Sequence, residues 1–507
     1  MLRRQFLAAA PLALGALCLP QSGHAEELPA ATGAKLPRWR GFNLLENFMH
    51  DSHGPYHEED FAAIIDWGFD FVRLPLDYRI WIREGDWRRI DEQALKVVDQ
   101  AVEWGDKHKI HVCLNFHRAP GYTVAKPSET ASLWTDPEAG EVCAMHWHAF
   151  AKRYGGIPSN RLSFNLLNEP PALAAEVYYG TVKKLVEAIR AEDPTRLVIA
   201  DGRNYGGEPT PELANLGIAQ AARGYAPTEV SHYEASWMND RRLTGANKPW
   251  WPHPRFHGLL FGPDHQDKTG PLTFTGPIEE GTVLRVKLDK VSREAQLSIK
   301  ADGKEVFAKG FKPGPGEGDW KESKYMEEWK IYQATYDRDY RFTLPKANQL
   351  ELLNAAGDWL SFSEIGFLPP GKTPAQEISM GAIPNWDAPP QRFEYAPSDP
   401  ACPFKTQDCF DRDWLRKRIA QPWVDLQSRG IGVIVGECGA FNRAPHAVVL
   451  RWMEDMLGMW KELGIGWALW NFRGGFGIVD SGRRDVAYED WRGHKLDREM
   501  LKLLQRN

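Results

Sequence analysis

Apolar positions along the chain alternate between two textures, short apolar runs and stretches with helical spacing. Runs that read as strands occupy residues 41–45, 69–75, 110–116, 162–167, 196–201, 229–233, 432–436 and 466–470. Between the second and third, Ala94, Val97, Val98, Ala101 and Val102 recur at the spacing of one helix face. Phe61, Ile64 and Ile65 do so before the second run, and Val182, Leu185, Val186 and Ile189 before the fifth. Strand and helix in alternation imply a parallel sheet. Eight such units fit an α/β fold of the closed (β/α)8, or TIM, barrel type. A doubly wound open sheet fits less well, because no Gly-rich turn opens a helix after the first strand. The glycines of Gly474-Gly475-Phe476-Gly477 follow the last strand and read as a loop.

A different texture fills residues 258–370, far longer than a barrel loop needs. Leu284, Val286 and Leu288 alternate with Arg285 and Lys287, and Leu297 and Ile299 precede an Asp302-Gly303 turn. Tyr340, Phe342 and Leu344, then Leu350 and Leu352, then Leu360 and Phe362 continue the period of two. The pattern predicts an antiparallel β-sandwich inserted into the barrel, which is thereby divided into 38–257 and 371–507. Such an architecture fits a carbohydrate-binding module and a structural lid or spacer equally, since a sandwich alone does not establish binding.

Two strand candidates end in a glutamate. Leu162-Ser163-Phe164-Asn165-Leu166-Leu167 runs into Asn168-Glu169-Pro170, where the proline biases Glu169 away from the helical region. Gly432-Val433-Ile434-Val435-Gly436 runs into Glu437. A lone glutamate is most often a solvated or paired surface residue. Two of them at the C-terminal ends of barrel strands stand where barrel enzymes carry their active sites. A pair of carboxyl groups supplies what acetal cleavage needs: a proton for the departing oxygen and electron density for the sugar carbon. His146 and His148 invite a metal reading, but at i, i+2 on a helix they do not face each other and read as solvated polar positions. No Cys or His cluster has zinc spacing and no phosphate-cradling loop is present, so no metal and no cofactor are expected.

Residues 1–25 read as an address. Arg3-Arg4-Gln5-Phe6-Leu7, an apolar run through Leu19 and a small-residue cleavage site after Ala25 have the form of a twin-arginine export signal, giving a periplasmic or secreted protein. The formal net charge is −6 and grows more negative without Arg3 and Arg4, which argues against nucleic acid or an anionic membrane as partner. Nothing after the leader is long and apolar enough to span a bilayer. Of the cysteines that follow it, Cys402 and Cys409 flank a short polar loop and are the best disulfide candidates, whereas Cys113 and Cys438 fall in strands and read as core thiols. The oligomeric state is not readable.

In this order, Val72-Arg73-Leu74-Pro75, Asn115-Phe116-His117-Arg118-Ala119-Pro120-Gly121-Tyr122, Asn168-Glu169-Pro170, His232-Tyr233, Glu437 and Trp470 resemble glycoside hydrolase family 5. These are retaining enzymes on a (β/α)8 barrel that cleave mostly β-linked glycans, and the likeness covers about 38–257 and 375–507. The resemblance implies Glu169 as acid/base and Glu437 as nucleophile. Asn168 would hold the hydroxyl next to the reacting carbon and Arg73 would support Glu437. His117 and His232 would line the reacting-sugar subsite over a Trp470 floor. It also implies a glycan substrate, with endo-β-1,4-glucanase action first, exo-acting glycosidases (furanosidases included) second, and a non-catalytic sugar-binding barrel as the reading from another class. One departure stands out: the family has a tyrosine two residues after the sixth-strand histidine, whereas Tyr233 directly follows His232, and a one-residue change reverses the strand face. The chain has 21 Trp, and Trp134, Trp237, Trp250 and Trp251 in predicted loops are candidate sugar platforms, while Trp467 reads as core.

Overall fold

Strands that are mostly apolar, each buried along its whole length or nearly so, close on themselves in the computed structural model, which describes residues 28–240, 243–245, 247–371, 377–382 and 385–507. The leader expected over 1–25 lies outside these residues. The barrel strands are β1 (Arg40–Asn43), β2 (Phe71–Asp77), β3 (His111–Ala119), β4 (Leu162–Asn165), β5 (Leu197–Asp201), β6 (Ala219–Gly224), β7 (Val433–Cys438) and β8 (Gly466–Leu469). Every neighbour is parallel, and β8 pairs with β1, which closes the (β/α)8 barrel. Gly41 is required on β1, because a Cβ there would sit 1.7 Å from the Phe71 carbonyl oxygen.

The expected helix faces are the buried ones. Phe61 and Ile64 of helix Glu58–Asp66, Val98, Ala101 and Val102 of Lys96–His108, and Val182, Leu185, Val186 and Ile189 of Ala175–Glu192 pack on the outside of the strands. Inside the barrel, Trp39 lies flat on His111 at 3.8 Å between ring centroids and joins Phe71, Leu197, Ile199 and Ile434 in a separate apolar plug. The plug leaves the opposite, C-terminal end of the strands to polar side chains.

The sixth strand differs from expectation. Residues 229–233 do not form it: Thr228–Ser231 is a short helical turn behind Pro227, and the strand is Ala219–Gly224. Its sequence, Ala-Gln-Ala-Ala-Arg-Gly, lacks the β-branched and aromatic side chains that mark strands. Gln220 is tolerated inside because its amide exchanges two hydrogen bonds with the Thr210 backbone, at 2.9 and 2.7 Å.

After β6 the chain leaves the barrel for two packed sheets with a core of their own. One sheet orders Leu259–Phe261, Trp359–Leu368, Val283–Ser292, Ile331–Thr343 and Glu322–Met326, with Ile378–Gly381 also on Trp359–Leu368. The other orders Lys304–Phe311, Ala295–Ala301, Ala347–Gly357, Leu272–Ile278, Arg392–Tyr395 and Phe404–Lys405. Asp302 and Gly303, both at positive φ, make the two-residue hairpin that their sequence predicts. The sheets run on past residue 370, because Arg392–Tyr395 returns to pair in parallel with Leu272–Ile278. The two stems meet where His253 pairs with Phe410 and Pro254 with Cys409. Cys402 and Cys409 are separate thiols rather than a disulfide, and the Cys402 sulfur lies 3.6 Å from the Pro252 carbonyl oxygen. Among the described residues no helix is long and apolar enough to cross a membrane.

Candidate active site

Barrel geometry gathers a polar layer at the strand C-termini. Arg73 on β2 is almost completely buried, a position tolerable for a guanidinium only when its charge is paired and its nitrogens are hydrogen-bonded. Its Nε donates to Asn165 Oδ1 (2.9 Å) and Nη1 to both Asn43 Oδ1 (2.9 Å) and Glu437 Oε1 (2.7 Å). Nη2 donates to Asn168 Oδ1 (2.8 Å). Asn43 is itself fixed by its amide, which donates to the Gly436 and Leu469 carbonyls. Arg73 thus ties the two glutamate-bearing strand ends together.

Glu437 is 3 % exposed and its two oxygens have different partners. Oε1 takes Arg73 and lies 3.2 Å from Arg223 Nη2, while Oε2 accepts from the Tyr225 hydroxyl at 3.0 Å. Burial, with the Glu437 charge behind it, pushes the Tyr225 phenol well above its ordinary range, so it stays a donor.

Glu169 sits just past β4 in a left-handed backbone conformation, φ 50°, which is neither the extended form that Pro170 favours nor the right-handed helix that it disfavours. For a residue with a Cβ that conformation costs about 1–2 kcal/mol and needs support. Its N–H donates to Asp201 Oδ2 at 2.9 Å, and its carbonyl accepts from the Tyr122 hydroxyl. The side chain accepts from Arg223 Nε at 3.1 Å. Burial first, and the nearby Glu437 charge second, push the Glu169 carboxyl up to about 7, against the lowering pull of Arg223. Of the two carboxyl groups, this one is poised to hold a proton near neutrality.

Asn168 accepts at Oδ1 from both Arg73 and Arg223, each at 2.8 Å, which fixes the amide. Its Nδ2 is buried without a protein partner and so can donate to a ligand hydroxyl. Trp470, half-buried, stacks on His117 (5.4 Å, 23° between planes) and meets Phe48 edge-on at 5.6 Å. His117 is held neutral by burial and then by the Arg73 and Arg223 charges. The ring pair offers a flat apolar floor with a neutral hydrogen-bonding edge.

His232 lies behind β6 rather than on it, yet reaches the same wall. Its Nδ1 is 2.8 Å from Ser231 Oγ, which donates to the Tyr225 carbonyl, and its ring packs edge-on to Tyr225. Burial lowers it to about 4. Tyr233 turns away: its hydroxyl donates to the Gly245 carbonyl at 2.7 Å. The tyrosine that touches Glu437 is Tyr225, two residues after Arg223 in Arg223-Gly224-Tyr225, the spacing that the family resemblance had led us to seek after His232. Gly224 between them lets β6 close on β7, since a Cβ there would meet that of Cys438 at 2.6 Å.

Arg223 and Asp201 escaped the sequence reading, and Tyr122, quoted there at the end of the His117 motif, received no role. Only the Arg-x-Tyr spacing before Pro227 could have flagged the first, once the sixth strand was placed correctly. Of the candidate platforms, Trp250 and Trp251 are buried and Trp251 donates to Asp455 Oδ2 at 2.8 Å, so neither offers a face. Trp134 packs on Tyr122 and Tyr178. Trp237 is 55 % exposed and stands against Phe441 and against His232, which in turn packs on Tyr225. Trp467 is core, as expected. His146 is buried rather than solvated: it bonds Trp81 Nε1 at 2.9 Å and the Trp87 carbonyl at 2.6 Å.

Residues 30–247 match the sequence profile of the family described as Cellulase (glycosyl hydrolase family 5). Endoglucanase C of Acetivibrio thermocellus is 32 % identical over 186 residues, covering 36 % of this chain and 53 % of the relative. Cellodextrinase A of Ruminococcus flavefaciens is 26 % identical over 204 residues, covering 39 % and 57 %. The chain thus spans little more than half the length of these relatives. A solved structure titled as a glycoside hydrolase superposes with a TM-score of 0.58 at 27 % identity, covering 92 % of this chain and 99 % of that one.

Proposed function

We propose that the chain is a retaining glycoside hydrolase of the family 5 type, acting on a β-linked glucan as an endo-β-1,4-glucanase. The observation that carries the reading is the pair Glu169 and Glu437, held in one buried network yet in opposite electrostatic settings. Glu437 accepts from Arg73 and Tyr225 and lies 3.2 Å from Arg223 Nη2, whereas burial pushes the Glu169 carboxyl up to about 7. Both carboxyl groups contact the single guanidinium of Arg223, which fits the shorter spacing of about 5–5.5 Å used for covalent displacement better than the wider one of ~6.5–9.5 Å.

In the first step a Glu437 oxygen bonds the anomeric carbon as the glycosidic C–O bond breaks, and the Glu169 proton passes to the departing oxygen. In the second, Glu169, now a carboxylate, takes a proton from water as that water bonds the carbon and the ester to Glu437 breaks. Asn168 Nδ2 donates to the adjacent sugar hydroxyl, Trp470 floors the subsite, and Tyr225 steadies the nucleophile. The likeness to an endoglucanase and a cellodextrinase supports a β-1,4-glucan as the substrate.

A panel of defined glycans, followed by NMR of the fresh product, tests this. Internal cleavage of β-1,4-glucan with retained configuration, absent from a Glu169→Gln/Glu437→Gln double variant, is the expected result. An inverted product, release of end sugars only, or equal activity in the double variant would each remove part of the reading. The Arg3-Arg4 leader supports export to the periplasm or beyond, for which a mature N-terminus at Glu26 is the check.

A further inference from the structure

We infer that Arg223 is a positioning residue that bridges the two carboxyl groups and stays paired with the negative charge of the site as that charge passes from one to the other during turnover. The inference rests on the hydrolase reading above. Arg223 is 6 % exposed, and each of its three guanidinium nitrogens has a protein partner. Nε donates to Glu169 Oε1, Nη1 to the Ala222 carbonyl at 3.2 Å, and Nη2 to Asn168 Oδ1 and Asp201 Oδ2 while lying 3.2 Å from Glu437 Oε1. Four of its five N–H groups are spent on these protein oxygens, the two carboxylates among them, so its influence passes chiefly through the carboxyl groups.

Charge counting gives the reason for such a bridge. The buried cluster holds two guanidiniums, Arg73 and Arg223, and three carboxyl groups, Asp201, Glu169 and Glu437. With Glu169 protonated the cluster is neutral, which a buried site requires if charges are not to go unpaired. Formation of the glycosyl ester removes the charge of Glu437, and transfer of the proton to the leaving oxygen creates one on Glu169. The cluster is neutral before and after, but its negative charge has crossed from one side of Arg223 to the other. A guanidinium already bonded to Glu169 and adjacent to Glu437 follows that shift without moving, so little reorganisation is needed. Arg73 contacts Glu437 but not Glu169 and cannot do the same.

The groups facing Glu169 are Arg223, Asp201 and Glu437, with the Tyr122 and Tyr225 hydroxyls behind them and His117 and His232 held neutral by burial. Removing the one cation that contacts Glu169 keeps it protonated to higher pH. That suits its acid role and harms its base role, so the second step should suffer more.

The test uses the full chain with Arg223→Gln and Arg223→Lys, on a β-glucoside bearing a dinitrophenyl leaving group, which needs little protonation. In Arg223→Gln the upper limb of the pH profile of kcat/KM, read on a β-1,4-linked oligosaccharide whose departing oxygen needs the Glu169 proton, should rise by about one unit. Its kcat should fall about a hundredfold, with a burst of phenol near one equivalent as the ester accumulates. In Arg223→Lys the charge stays but one ammonium cannot span both carboxyl groups, so the limb should stay near wild type while kcat falls about tenfold. An unmoved limb without a burst in Arg223→Gln would make Arg223 merely structural. Should that variant not fold, wild-type kcat in Arg223→Lys overturns the bridge. An inactive wild type overturns the hydrolase reading and the bridge together, whereas an active wild type with unmoved limbs overturns the bridge alone.

Discussion

Exchanging a single hydroxyl at each of two tyrosines separates the site drawn from the sequence from the site in the structure. Tyr225→Phe removes the donor to Glu437 Oε2 and leaves the arginine contacts, which converge on Oε1. A hydrogen bond to a charged group contributes about 1.5–3 kcal/mol. At 1.4 kcal/mol per factor of ten, that is roughly a ten- to hundredfold loss of rate. The loss should appear in kcat more than in KM, because the carboxylate of Glu437 re-forms as the ester breaks and the bond from Tyr225 strengthens with that charge. Tyr233→Phe removes only a bond to the Gly245 carbonyl, with a cost of about 1 kcal/mol in stability and rates within about twofold of wild type. Steady-state kinetics on an aryl β-glucoside, with thermal unfolding alongside, reads both effects. Near-normal kcat in Tyr225→Phe together with a collapse in Tyr233→Phe would refute the assignment.

With Glu169 pushed up to about 7, kcat/KM should fall as pH rises through that value, because the acid form is present below it and lost above it. Glu46, also pushed up to about 7 by burial on the loop after β1, is the control: Glu46→Gln should leave the limb in place, and a limb that vanishes with it would reassign the titration. Azide should restore turnover to Glu437→Ala by forming a glycosyl azide of inverted configuration, whereas Glu169→Ala should spare substrates with good leaving groups; the reverse pattern would exchange the two roles. Replacing residues 258–405 by a short Gly/Ser linker should leave a folded barrel that cleaves an aryl glucoside but has lost polymer activity, since the stems already pair at His253–Pro254 and Cys409–Phe410 and the sheets have their own core. Loss of folding, or undiminished polymer activity, would contradict that separation.

What the sequence reveals follows the range of the forces involved. Period and composition are local, so the alternation of strands and helices, the buried helix faces, the Asp302-Gly303 hairpin and the strand-end positions of Glu169 and Glu437 are all legible. The end of the sandwich is not, because it depends on Arg392–Tyr395 returning to a strand more than a hundred residues earlier. Nor is His146, whose burial is decided by Trp81 and Trp87 from another part of the chain.

The sixth strand shows how one local error spreads into the chemistry. Val230 and Tyr233 make residues 229–233 read as a strand, while Ala219–Gly224 lacks every mark of one. A barrel strand near the catalytic rim can be built of alanine and glycine because large neighbours fill the space: the Gly436 Cα faces the Arg223 guanidinium, and Gly224 faces Cys438. Once the strand is shifted, the tyrosine shifts with it, and an arginine enters the site where no carboxylate chemistry had been assigned to one. Apart from its spacing to Tyr225, that arginine has no signature in its own surroundings. Its partners come from β5, the loop after β4, and β7, and its tolerance in the interior depends on the balance of two guanidiniums against two carboxylates and one protonated acid. Such a balance is a property of the closed barrel, and it explains why the carboxyl that must carry a proton is the one reached by a single arginine, while the carboxyl that must attack is reached by two.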